Sequence, residues 1–570
     1  MSTTTAIPKF SEFVYQRPDM EAFGTDFKAA IHSFTTANNL AAAIAAIQAI
    51  NRLRNDFMTH YNLAMIRHSC DTRDTFYEAE NNFFDEQLPY YEQYKSSFYR
   101  ALIDSPHRAA LEAHYGPQLF AIAALSLKTF DPSIIEELQE ENRLSSAYNK
   151  LKATAQLEFA GETYNLSSIQ VKELDTDRAT RRGASEVKWA WYSDHQAEIE
   201  DIFDQLVKVR HQMARKLGFD NFIALGYTRM LRTDYDAQDV AAYRSAIREY
   251  VVPVAQQLYR EQAKRLGLDS LSYYDTALIF PDGNARPQGG PQWIVDQASR
   301  MYSELSDETR HFFQFMQEHE LMDLISRDGK ATGGYCTYIP NYQAPFIFSN
   351  FNGTSGDIDV LTHEAGHAFQ VYSSRAFDTP EYNWPTYEAC EIHSMSMEFF
   401  TWPWMELFFG KEVDRYRYGH LAGALYFLPY GVAVDEFQHY VYENPDDSPA
   451  QRNAAWRNLE QQYLPHLQYT GQAFLEGGGL WQKQTHIFGM PFYYIDYTLA
   501  QVCAFQFWLR DQSDHEGAWA DYLRLCQAGG SAAFLQLVEL AGLDSPFSAG
   551  TVARVAQATA DWLAAHPVER

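Results

Sequence analysis

The sequence predicts a mainly α-helical fold with a small β-sheet. Apolar residues recur at helical spacing through most of the 570 positions, and only short β-prone runs interrupt them. A content of 46% hydrophobic and 15% aromatic residues excludes general disorder. The length suits three or more ordinary domains, or one large enzyme with a lid region. In chain order, residues 27–70, 74–103, 108–126 and 133–153 read as successive helices separated by polar turns. Gln156–Phe159 and Thr163–Leu166 flank Ala-Gly-Glu and read as a hairpin. Helical patterns return over 185–218, 237–266, 291–320 and 395–443. The charged stretch from Lys172 to Arg182 is the best candidate for a junction. It divides the chain into a helical amino-terminal region, 1–184, and a second region, 185–570. No fixed-period repeat or low-complexity linker is present.

Charge and cysteine content narrow the partners. The chain carries 46 basic and 74 acidic residues, a net charge of −28. Nucleic acid and anionic membranes bind basic patches through counterion release, so neither is expected as a partner. The five cysteines, at 70, 336, 390, 503 and 526, are odd in number and lack C-x-x-C spacing, which reads as free thiols in a reducing compartment. The amino terminus lacks a charged start followed by an apolar run, and Ala41 to Ile50 is too short to span a bilayer. A soluble cytoplasmic protein is expected, of undetermined oligomeric state.

Residues 363–367 read His-Glu-Ala-Gly-His. Two imidazoles four residues apart lie about 40° from each other around a helix, so both can reach one metal, and the intervening glutamate falls on the adjacent side, placed to act as a base toward water. Thr354 or Ser355 can cap the helix, Asp357 and Asp359 complement its positive end, and no proline follows until Pro380. The competing account is a buried helix whose histidines have ordinary core partners. Catalytic zinc needs a third protein ligand. Gln370 and Ser373 occupy the positions of the glycine and third histidine in H-x-x-G-x-x-H, which excludes that arrangement. The segment from Pro385 to Phe400 offers Glu388, Glu391 and Glu398 on one broad helical stripe. Helical geometry leaves Glu388 and Glu391 equivalent, and His393 points away from the stripe.

Three stretches together resemble the M3 metallopeptidases, in particular the oligoendopeptidase F and Pz-peptidase branch: Phe351-Asn-Gly-Thr…His363-Glu-Ala-Gly-His367, Glu391-Ile-His-Ser…Glu398, and His486-Ile-Phe-Gly-Met-Pro-Phe-Tyr-Tyr-Ile-Asp-Tyr497. Phe13-Val-Tyr-Gln-Arg-Pro-Asp19 near the amino terminus looks like the same branch. The resemblance implies a gluzincin-type zincin catalytic domain, with the helical amino-terminal region enclosing a deep channel that admits short peptides. It implies one Zn2+ held by His363, His367 and Glu391, with Glu398 supporting a ligating histidine and Glu364 as the catalytic base. A His…Tyr pair then serves the oxyanion formed on hydrolysis, where each donor contributes about 3–4 kcal/mol. Tyr497 is the first choice, with Tyr494 behind it and His486 in support; Tyr493, Tyr494 and Tyr497 are not separated.

Gly333–Ile339 and Ala344–Phe351 are β-prone runs that read as a hairpin lining the cleft, where a strand edge can hydrogen-bond an extended peptide. Phe346, Ile347, Phe348 and Ser349 are the residues expected to meet substrate. The expected activity is that of a zinc-dependent oligoendopeptidase acting on short peptides. The alternatives are a zinc dipeptidyl carboxypeptidase or metallocarboxypeptidase, and a non-catalytic, metal-stabilised peptide-binding protein.

Overall fold

A computed structural model describes residues 7–568. The amino-terminal residues from which the absence of a secretory signal was read lie mostly outside this range. The expected helix over 27–70 is two helices, Met20–Thr35 and Leu40–Cys70. Asn39 divides them, because its side chain accepts the Ala42 N–H at 2.9 Å and so caps the second. Thr75–Ile103 follows as one helix. The pattern over 108–126 breaks at Gly116, whose φ of +87° suits glycine, and Pro117 opens the next helix.

Apolar packing is in two parts. Phe23, Phe27, Phe57, Phe84, Tyr91 and Phe98 form the centre of a smaller core drawn almost wholly from residues 23–123. From Ile134 onward, buried side chains join the larger core. The expected division at residue 184 falls inside the helix Arg178–Asp194, and the seam between cores runs nearer residue 130. A buried ion pair crosses that seam: Arg54 Nη2 donates to Glu381 Oε1 at 2.5 Å. Such a pair is strongly destabilising to break once desolvated, which ties the smaller region to the short helix Pro380–Asn383, between His367 and Glu391 in the chain.

The first hairpin is β1 (Leu157–Phe159) against β2 (Glu162–Tyr164). The second sheet holds β3 (Met322–Ile325), β4 (Tyr335–Ile339) and β5 (Ala344–Phe351) in the order β3-β5-β4, with β5 parallel to β3 and antiparallel to β4. β5 is the central strand, paired with β4 over Ala344–Phe348 and with β3 at Ile347, Phe348 and Phe351, and the side chains expected to meet substrate, Phe346, Ile347, Phe348 and Ser349, are buried. The edge on the hairpin's outer side belongs to β4.

Four helices complete the scaffold of the site. They are the motif helix Gly356–Ser374, the glutamate helix Tyr387–Phe400, the long helix Val413–Glu443 and the tyrosine helix Tyr494–Asp511. The pattern read as one helix over 395–443 divides after Phe400, where Pro403 removes a backbone donor. No helix among the described residues is long and apolar enough to cross a membrane.

Candidate active site

The motif helix begins at Gly356 with Ser355 in the capping position, yet the Ser355 side chain makes no capping bond. Asp357 acts instead on the incoming loop, accepting the N–H groups of Asn352 and Gly353 at 2.8 Å each. One face of this helix packs on the glutamate helix. Gly366 allows that approach: a Cβ there would stand 2.6 Å from the His393 carbonyl oxygen and from Ser394 Cα. The glycine within the His-Glu-Ala-Gly-His stretch is thus a packing requirement for bringing the glutamate to the histidines.

The result is a convergence. His363 Nε2 and His367 Nε2 each lie 3.3 Å from Glu391 Oε2, and the ligand atoms of all three lie within 4.8 Å of one another. Burial opposes the Glu391 carboxylate, but His367 and His363 outweigh it and hold its carboxyl well below the usual range. Glu398 Oε1 meets His363 Nδ1 at 2.7 Å, leaving Nε2 turned toward Glu391. Glu398 Oε2 in turn meets His420 Nε2 at 2.7 Å. Trp402 Nε1 donates to His420 Nδ1 at 3.2 Å, and an indole only donates, so His420 carries its proton on Nε2 and gives it to Glu398. Two imidazole nitrogens and one carboxylate oxygen, with one imidazole oriented from behind, form a donor set that fits a divalent metal.

The other two acids of the motif region are distinguished by their surroundings. Glu364 is buried, its carboxyl is pushed up by burial, and its Oε2 has no hydrogen-bond partner among the described residues. Glu388 sits one turn before Glu391 but faces a different group, Asp496 and Arg232, and burial pushes its carboxyl well above the usual range. His393 is fully buried and its imidazole is lowered by burial to about 4. Cys390 Sγ contacts the Pro385 carbonyl at 3.4 Å.

Across the cleft, His486 Nε2 lies 3.2 Å from the Tyr497 hydroxyl. Tyr430 donates to Gln484 Oε1 at 2.9 Å, which turns the Gln484 amide nitrogen toward His486 Nδ1 at 2.7 Å. His486 therefore accepts at Nδ1 and presents Nε2–H. Burial lowers this imidazole to about 4, so it is neutral near pH 7. Tyr493 donates to Glu391 Oε1, joining the tyrosine side to the three converging donors. A cavity of about 410 Å3 adjoins the group, lined by His486, Tyr494, Tyr497, Met395, Glu398 and Phe427 among others.

The structure thus gathers His363, Glu364, His367, Glu391, Glu398, His486, Tyr494 and Tyr497 around one cleft, while Phe346, Ile347, Phe348 and Ser349 are buried in the sheet beside it. Sequence reasoning missed the Tyr493–Glu391 contact, although Tyr493 and Tyr497 are four residues apart and share a helical face. It also missed His420, Trp402, Gln484 and Tyr430. His420 lies 22 residues beyond Glu398 on the long helix and carries no motif of its own.

Comparison with known proteins identifies the family. Peptidase family M3 matches residues 292–556, and the peptidase M3 N-terminal domain matches residues 10–130. This chain belongs to peptidase family M3. Among solved structures, the M3 chain is 54% identical to Pz peptidase A in a structure with an inhibitor, covering 98% of this chain and 99% of that one at a TM-score of 0.97. A structure described as an oligoendopeptidase F is 55% identical, with 99% of each chain covered and a TM-score of 0.97. One so described from Bacillus anthracis str. Ames is 52% identical, covering 98% of this chain and 99% of that one, with a TM-score of 0.93. No curated protein matches the M3 chain.

Proposed function

We propose that this M3 peptidase is a zinc-dependent oligoendopeptidase that hydrolyses internal bonds of short peptides. The observation that carries the reading is the approach of the ligand atoms of His363, His367 and Glu391 to within 4.8 Å of one another beside the buried carboxyl of Glu364, whose Oε2 has no hydrogen-bond partner among the described residues. His363, His367 and Glu391 would hold the zinc. When bound, the ion supplies Lewis-acid chemistry, polarising the peptide carbonyl and lowering the pKa of water toward about 7. Glu364 takes the proton from the attacking water and later gives it to the leaving amine, and burial, which raises its carboxyl, favours its taking up that proton. Tyr497 donates to the oxyanion, with His486 Nε2–H beside it and Tyr494 on the same wall.

The β4 edge is the better candidate for binding extended peptide. A Cβ at Gly334, just ahead of this strand, would stand 3.4 Å from Glu364 Oε1, so the edge begins beside the base. The carboxypeptidase alternative has less support, since the similar structures are described as endopeptidases. A cytoplasmic setting stays part of the proposal, supported by five free thiols.

Replacing Glu364 by Gln tests the reading with an internally quenched peptide blocked at its carboxyl end. Bound zinc should persist while kcat falls about 10²–10⁴-fold, and undiminished turnover would remove Glu364 from the mechanism. Cleavage confined to the unblocked form of the peptide would favour the carboxypeptidase.

A further inference from the structure

The segment from His486 to Tyr497, which runs from the short helix Thr485–Gly489 through a turn into the tyrosine helix and is called the loop below, carries every oxyanion donor of the proposed mechanism, and its backbone is held in an unusual way. Phe492 has a φ of +67°, a left-handed conformation that is strained for a bulky residue, and it is fully buried. Both of its peptide groups are caught by side chains from other elements. Its N–H donates to Gln438 Oε1 at 2.8 Å, from the long helix, and its carbonyl accepts from Arg232 Nη2 at 2.5 Å. The ring fits because residue 226, on the short helix Phe222–Arg229, is glycine: a Cβ there would come within 2.5 Å of Phe492 Cδ2.

The other end of the loop is held in the same manner. Arg210 donates to the Ile487 carbonyl at 3.1 Å and also to the Phe488 carbonyl. Each guanidinium has its own buried carboxylate, Arg210 with Glu141 at 2.7 Å and Arg232 with Asp496 at 2.8 Å. Both arginine side chains are essentially inaccessible to solvent. Asp496 lies in the first turn of the tyrosine helix, between Tyr493 and Tyr497. Two buried cations directed at carbonyls of one loop are an expensive arrangement for packing alone, since an apolar pair of similar volume would be as stable or more so.

From these contacts we infer that Arg232, Gln438 and Arg210 are positioning residues, which hold the His486–Tyr497 loop so that its donors meet the developing oxyanion. The inference rests on the proposed peptidase mechanism. Its chemistry is geometric: donors stabilise the transition state only where the charge appears, and misplacement by about 1 Å can cost about 10²-fold. Lysine at 232 would keep the charge beside Asp496 but lose the planar fork that reaches the Phe492 carbonyl.

The test compares Arg232→Lys and Gln438→Met with the wild-type zinc enzyme. It measures kcat, KM, zinc content and the Ki of a phosphinic peptide, an uncleavable mimic of the tetrahedral state. Arg232→Lys should lower kcat about 10²-fold and raise Ki by a similar factor, with KM and zinc content changed by less than about twofold. Gln438→Met should shift kcat and Ki together by about 10-fold. Ki does not depend on the fraction of molecules that are active, so a fall in kcat with Ki unmoved would mean a merely structural role and overturn the inference. Unchanged kcat in either folded variant would also overturn it, and Gln438→Met decides the matter alone if Arg232→Lys does not fold. Wild-type protein without chelator-sensitive cleavage would instead sink the peptidase reading itself.

Discussion

The two walls of the cleft reach their geometry by different routes. His363 and His367 approach one point because they are one helical turn apart, and Glu391 joins them through a helix packed closely at Gly366. His486 and Tyr497 are eleven residues apart, and they meet at 3.2 Å because the chain between them is folded over a left-handed turn held by side chains from three other segments. The first wall is built from regular secondary structure, so its precision comes from the helix itself. The second is built from two helices joined by a short irregular turn, Met490–Tyr493, and the precision of that turn has to be supplied from outside.

That contrast predicts the kind of defect each wall will show. The largest effect is expected from Glu391→Ala, which should abolish stoichiometric zinc binding and, with it, turnover, by more than about 10³-fold. Glu388→Gln should keep its zinc, because that carboxyl faces Arg232 and Asp496; metal analysis of the two purified variants checks this, and the reverse pattern would move the third ligand by one turn. On the loop wall, Tyr497→Phe should leave zinc in place and lower kcat by about 10²–10³-fold, the loss typical of one oxyanion donor. If Tyr494→Phe or Tyr493→Phe produced that loss and Tyr497→Phe did not, the donor would be reassigned within the same loop.

A smaller effect is expected behind the first wall. Glu398→Gln loses the carboxylate that orients His363 and should weaken zinc affinity about 10–100-fold, measured by competition with a chelator. The smallest effect concerns stability away from the cleft. His466 stacks on Tyr259 at 3.6 Å, and burial lowers its imidazole to about 3. An unfolded histidine titrates near about 6.5, so the unfolded chain takes up this proton first as pH falls. The stability from neutral His466 is fully present above that pH and is lost progressively between about 6.5 and 3. The melting temperature of His466→Phe should therefore drop on the order of 1–2 °C less than that of the wild type between pH 7 and pH 5.

Much of the site could be read in advance where the chemistry has a local period. The spacing of His363, Glu364 and His367 defines one face of a helix, and the carboxyl stripe from Glu388 to Glu398 limits the third ligand to a few candidates. The hairpin of Gly333–Ile339 and Ala344–Phe351 was legible too, but not which of its side chains stay accessible. The β-prone run Ala344–Phe351 identifies a strand but says nothing of its neighbours, and its place at the centre of the sheet buries Phe346, Ile347, Phe348 and Ser349. His420 and Tyr430 were invisible because hydrogen bonds between segments far apart in the chain leave no spacing in it.

Composition and periodicity alone determined a mainly helical protein with a short sheet, a negative overall charge and a helix carrying two imidazoles on one side. Which glutamate turns toward those imidazoles, which strand has a free edge and which nitrogen of His486 bears a proton were decided only in three dimensions. Helical phase is a property of consecutive residues, so the chain records it. The fate of a buried carboxylate depends on the charges packed around it, and those come from segments tens or hundreds of residues away.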